Sequence, residues 1–150
     1  MRMTAFEDVS LRALMLLAAN DTGETLPTRT IAEGIGTPYN HVSKAVLKLR
    51  ELGFIEATRG RSGGVQLSDA GREATVGGVL RALDTRADLA DCETPNGDCP
   101  LNLQCGLRGA LRRAREAFYR ELDGVLVAAL PHERQMGPVL VRIGLRPPAA

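Results

Sequence analysis

Apolar residues in FEDVSLRALMLLAAN fall at Phe6, Val9, Leu11, Leu14, Leu17 and Ala18, a helical period with a broad face to bury. TGETLP breaks that period. TRTIAEGIG then predicts a short helix, with Thr28 placed to cap it and Gly34 or Gly36 to close it. In TPYNHVSKAVLKLRELG, Thr37 is the expected cap and Pro38 suits the first helical position, while Val42, Ala45, Val46, Leu49 and Leu52 form one apolar stripe. Two helices joined by a tight, glycine-containing turn describe a helix-turn-helix. After Gly53, FIEAT and GVQLS predict two short strands around RGRSG, a hairpin with a basic tip whose turn Gly60, Gly63 and Gly64 permit. Helix, helix, basic hairpin is the order of a winged helix.

Beyond the hairpin, DAGREATVGGVLRALD predicts one further helix over 69–84, with Ala70, Val76, Val79, Leu80 and Leu83 as its apolar side. TRADLADCETPNGDCPLNLQC interrupts regular structure with Pro95, Asn96, Gly97 and Pro100, a loop of about twenty residues that calls for a functional explanation. From Cys105 a long helical pattern runs to about Leu130, with Leu107, Leu111, Ala114, Phe118, Leu122, Val125 and Ala129 at steps of three and four. Such a stripe suits a partner helix, or it packs on its own chain. The expected organisation is a mostly α chain. It has a winged helix-turn-helix DNA-binding domain over 1–84, a cysteine loop over 85–105, a long C-terminal dimerisation helix over 106–130 and a tail over 131–150. In that tail GPVLVRIGL reads as a strand or a short helix and RPPAA as a frayed end.

If the stripe from Val42 to Leu52 is buried, Asn40, His41, Ser43, Lys44, Leu47 and Lys48 project from the opposite face, grouped in the N-terminal half that a recognition helix presents to base edges. Asn reads adenine with two hydrogen bonds, and Lys reads the guanine acceptors. Arg29, Thr30 and Lys48 are better placed for phosphates, and Arg61 at the hairpin tip suits an adjacent minor groove. The candidate DNA-binding set is Thr28, Arg29, Thr30, Tyr39, Asn40, His41, Ser43, Lys44, Lys48, Arg59, Arg61 and Ser62.

The net charge of +1 conceals a segregation: residues 28–72 hold seven Lys/Arg against four Asp/Glu, residues 73–104 two against six, and residues 105–150 eight against four. Basic blocks on a nearly neutral chain suggest a local polyanion footprint, and solvated helix faces are the plainer alternative. Aromatic residues at 3%, with no Trp, supply no stacking surface for single-stranded nucleic acid. No run approaches the roughly 18 apolar residues of a membrane span, and the N-terminus lacks the plan of a signal peptide. A cytoplasmic location is expected.

All three cysteines, Cys92, Cys99 and Cys105, stand in DCETPNGDCPLNLQC with the spacing C-x6-C-x5-C. No pair has the C-x2-C knuckle of a strong zinc motif, and three thiols in a reducing compartment do not make a structural disulfide framework. Spaced thiolates in an irregular loop suit an iron-sulfur cluster. Zinc, a thiol-disulfide sensor and inert cysteines stay open on spacing alone.

Taken together, MRMTAFEDVSLRALMLLA, IAEGIGTPYNHVSKAVLKLRELGFIEATRGRSGGVQLS and the three cysteines between a linking helix and a long helix resemble the winged-helix iron-sulfur repressors, the family that includes NsrR and IscR. The resemblance covers nearly the whole chain. It is closest to the NsrR branch: in the IscR branch a histidine follows the third cysteine, whereas GLRGALRR follows Cys105 here. The resemblance implies a non-enzymatic homodimer on double-stranded operator DNA, with nitric oxide as its signal. It further implies a [4Fe-4S] cluster held by Cys92, Cys99 and Cys105 and by Asp8 of the other subunit. From the residues themselves, Arg12 lies four positions after Asp8 and could orient its carboxylate, while Glu7, Asp91, Glu93 and Asp98 are competing oxygen donors. Two alternatives stand beside this: a related [2Fe-2S] regulator of iron, cluster-assembly or redox genes, and a non-regulatory carrier or scaffold, which has no use for a basic wing and a recognition helix.

Overall fold

The computed structural model describes residues 3–20, 22–60, 63–85, 99–101 and 103–146. Helix α1, Ala5–Ala19, begins at Thr4, whose hydroxyl accepts from the Glu7 N–H while the Glu7 carboxylate accepts from the Thr4 N–H, a reciprocal capping box. Its Ala13, Leu14 and Leu16 are wholly buried. Against it pack α2, Thr28–Ile35, and α3, Tyr39–Glu51. Gly36 ends α2 in the left-handed region at φ 63°, its N–H donating to the Ala32 and Glu33 carbonyls, which turns the chain sharply into α3. Val42, Ala45 and Leu49 of α3 close the core beneath Leu14 and Ile31.

Strands β1, Ile55–Thr58, and β2, Gly64–Leu67, pair antiparallel with Ile55 opposite Leu67 and Thr58 opposite Gly64. A bridge adds Leu26 beside Val65, with reciprocal bonds of 2.9 Å. Gly64 belongs to that close approach and not to the hairpin turn, since a Cβ there would lie 2.7 Å from the Leu26 carbonyl oxygen. The turn is closed by Gly63, whose N–H donates to the Gly60 carbonyl at 2.9 Å.

Helix α4, Asp69–Arg72, and helix α5, Val76–Leu83, replace the single helix expected over 69–84. The break has a tertiary cause. Val76 N–H donates to the Val125 carbonyl at 2.8 Å, and Val127 N–H donates to the Ala74 carbonyl at 2.9 Å. Thr75 then caps α5 through the Gly78 N–H. The same pairing ends α6, Gly106–Leu122, eight residues short of the expected Leu130, so Val125 and Ala129 leave its stripe. A 3-10 turn over Val127–Ala129 follows, with Val127 buried against α1. The tail forms α7, Glu133–Arg142, despite Pro138 within it. Leu140 is fully buried, and the Arg142 guanidinium donates to the Gly34 and Glu33 carbonyls, 2.9 and 3.3 Å away, clamping α7 to the end of α2. Residues 147–150 lie outside the described residues.

A helix-turn-helix face and a cysteine segment

The apolar stripe of α3 points inward, so its opposite face is open: Tyr39, Asn40, His41 and Lys44 are exposed, Ser43 and Lys48 half-buried. Neither expected threonine cap forms. Thr28 is the first residue of α2 behind Pro27, and α3 begins after Pro38 with no side-chain cap, because each proline already supplies the extended backbone that an N-cap needs. Thr28 and Thr30 are half-buried and Arg29 is exposed. The Arg29 guanidinium lies 5.1 Å from the Tyr39 ring centroid, which ties the start of α2 to the start of α3 by a cation-π contact. Asn40 accepts the His41 N–H at 3.1 Å, and Lys48 pairs with Glu51 at 3.4 Å. Arg59 is exposed at the end of β1, while Arg61 and Ser62 lie outside the described residues.

Asp8 sits in the first turn of α1, with its carboxylate paired to Arg12 and 34% of its side-chain surface open. That pair holds the Arg12 guanidinium above its ordinary range, the hydrogen bond to Asp8 being the main cause. Cys99 and Cys105 are free, half-buried thiols, and Cys92 lies outside the described residues. Cys105 occupies the N-cap of α6 just after Gln104, whose φ is 53°. Among the described residues no three His, Cys, Asp or Glu side chains gather at metal-binding range. Nor is any helix among them long and apolar enough to cross a membrane.

Where α5 ends, a cluster of side-chain bonds ties it to α6. Arg81 of α5 donates to both oxygens of Asp123, at 2.5 and 2.9 Å, and to Glu116 at 2.9 Å. Its guanidinium lies over the Tyr119 ring, and the Tyr119 hydroxyl donates to Asp84. Burial first, and then the bond to Asp84, push the Tyr119 phenol up to about 12. The hydrogen bond from Arg81 holds the Asp123 carboxyl below its ordinary range. These residues lie 35 and 42 positions apart in sequence, so no local pattern announces them. The capping box at Thr4 and Glu7, by contrast, carries a local signature, T-x-x-E before an apolar run.

Known proteins with similar sequences are regulators. The chain is 48% identical over 148 residues to the HTH-type transcriptional repressor NsrR of Streptomyces coelicolor, covering 98% of this chain and 99% of that protein. It is 37% identical over 135 residues to the HTH-type transcriptional regulator NsrR of Geobacillus kaustophilus, covering 89% and 92%. Among solved structures, T. potens IscR superposes with a TM-score of 0.64 at 18% identity over 85% of this chain and 84% of that one. CymR of B. subtilis, titled the global cysteine regulator, superposes with a TM-score of 0.66 at 21% identity over 87% and 95%. These two likenesses establish the fold, with its small winged sheet and its helix-turn-helix. The Rrf2 family, described as an iron-dependent transcriptional regulator, matches residues 3–133, and the chain belongs to that family.

Proposed function

We propose that the chain is an iron-sulfur-dependent transcriptional repressor, working in the cytoplasm, that binds operator DNA as a homodimer and leaves it when nitric oxide attacks a [4Fe-4S] cluster. The observation that carries this is the pairing, in one small chain, of an open helix-turn-helix face at Tyr39–Lys44 with free thiols at the mouth of α6. Cys92, Cys99 and Cys105 would hold the cluster as thiolates, and Asp8 of a second copy would complete the set with an oxygen. The donor set fits such a group. Cys99 and Cys105 are unpaired, Cys105 stands where the first-turn N–H groups of α6 favour a negatively charged ligand shell, and Asp8 is open to solvent on one side. When bound, the cluster supplies iron that nitric oxide can ligate, the iron held by a hard oxygen being the easiest to displace.

The chain's own residues supply the rest. Asp8 rides on α1, and α1 packs more extensively on α3 than on any other element. A tether from Asp8 to a second copy therefore fixes the recognition helix of one subunit relative to that of the other. Asn40, His41, Ser43 and Lys44 would meet base edges, while Thr28, Arg29, Thr30, Tyr39 and Lys48 would meet the backbone and Arg59, Arg61 and Ser62 the wing side of the site. Release of the tether frees the angle between the two heads. Anaerobic loading with iron and sulfide, followed by visible absorption and native mass measurement, tests the proposal. A [4Fe-4S] species is expected in the wild type and its loss in Cys92→Ser, Cys99→Ser and Cys105→Ser. Zinc in place of iron, or full iron in every Ser variant, would refute it.

A further inference from the structure

Between α1, α2 and α7 lies a half-open cavity of about 150 Å³, walled by Met15, Leu16, Ile35, Met136 and Val139 and lined also by Arg12. An apolar cavity of roughly that volume accepts a ligand the size of benzene, and so a single aliphatic side chain. Two leucines elsewhere have no place in the core: Leu101 is 75% exposed and Leu103 is 89% exposed. Both stand between Cys99 and Cys105. Leaving them in water forgoes the stabilisation their burial would bring.

The geometry of α1 relates these two features. Asp8, Arg12 and Met15 follow one another at steps of four and three, along one stripe of the helix. Arg12 binds the Asp8 carboxylate and also lines the cavity. The Arg12 edge of the cavity therefore lies about one helical turn along α1 from Asp8, and its Met15 and Leu16 walls about two turns, roughly 11 Å, from it. We propose that it receives Leu103 of a second copy of this chain, an apolar latch beside the shared metal-binding set. The latch rests on the reading that Asp8 of one copy and the cysteines of another hold one cluster. Leu103 is two residues from Cys105, a backbone reach of at most about 7 Å, which carries it past the Arg12 edge and leaves its own side chain to reach toward the Met15 wall. Charge agrees with shape. Residues 73–104 carry two Lys/Arg against six Asp/Glu, and the cavity is lined by Arg12 and by a helix from the tail over 131–150, which carries three Arg against one Glu. Because α7 also carries Arg142 to the end of α2, a leucine seated against Met136 and Val139 bears on the helix-turn-helix directly.

The test places p-benzoylphenylalanine at position 103 of the full chain, loaded anaerobically with iron and sulfide, in an equal mixture of isotopically heavy and light protein. Irradiation should join position 103 to peptides of α7 or of residues 12–16 in the chain of opposite label, and Val139→Trp, which fills the cavity, should lower that product several-fold. A second variant sits at an exposed position where folding is indifferent: Leu103→Asp should speed iron release to a chelator about ten-fold. Cross-links that stay within one chain, or that reach other surfaces, overturn the latch. So does a release rate that Leu103→Asp leaves unchanged. The absorption of Asp8→Ala separates the two ideas. An altered spectrum without the α7 cross-link discards the latch and keeps Asp8 as ligand, whereas an unaltered spectrum discards the ligand and with it the latch, which is built on that ligand.

Discussion

Thr4 and Glu7 fix the first turn of α1, and Asp8 is the next residue along, its own N–H donating to the Thr4 carbonyl at 3.1 Å. Thr4→Ala should cost about 1 kcal/mol of stability, read as a lower urea midpoint, and should alter the absorption of the loaded protein by loosening the turn that carries Asp8. Unchanged values of both would show that the cap is idle. Gly77 is another residue on which geometry depends, since a Cβ there would lie 2.5 Å from the Tyr119 carbonyl oxygen. Gly77→Ala should therefore destabilise by roughly 1 to 3 kcal/mol. Tyr119 gives a pH dependence whose direction follows from its raised phenol. The folded chain holds that proton more tightly than the unfolded chain does, so its contribution is full below about 10, the unfolded phenol's range, and lost as pH rises through about 12. Tyr119→Phe should flatten that alkaline decline in denaturation curves. Of these residues only the cap could be read in advance, because its partners are three positions apart. Gly77 and Tyr119 matter through contacts with another helix.

At the scale of elements, the winged helix was legible because each piece carries its own period: the stripe from Val42 to Leu49 is buried along α3, and FIEAT and GVQLS became β1 and β2 in a single register. Two boundaries depart from the expected ones for one shared reason. Residues 74–76 and 125–127 bond to each other although they stand far apart in sequence, which splits 69–84 into two helices and stops α6 at Leu122. Helical periodicity continues through both places, so nothing local marks the break. The α3 face and the wing should differ in what they contribute to DNA binding. Asn40→Ala or Lys44→Ala should cost roughly 1 to 3 kcal/mol at particular base positions, while Arg61→Ala should weaken binding to all sequences alike and reduce its salt slope. Footprints and salt titrations on variant operators measure both. Untouched affinity in Arg61→Ala at low salt would remove Arg61 from the interface.

At the scale of the whole molecule, α5 packs on the C-terminal half of α6, where Arg81 meets Glu116 and Asp123. The N-terminal half is largely open, with Leu107 66% exposed, and Phe118 is also exposed in the half that α5 covers. A helix of that kind suits a second copy, and the expected dimer places two reading heads at a spacing set between subunits. The winged-helix fold was readable from the chain. The assembly was not, since the proposed donors, Asp8 and the cysteines, would meet only between copies. Phosphate neutralisation depends on Arg and Lys side chains that survive loss of the cluster, whereas specific affinity needs both α3 helices in successive major grooves together. Affinity for a pseudo-palindromic operator and for random DNA should therefore be measured in parallel, at one salt concentration, with cluster-loaded, cluster-free and nitric-oxide-treated protein. Operator affinity should be high only in the loaded form, with random-sequence affinity nearly the same in all three; equal operator affinity in all three forms would contradict a cluster-gated repressor.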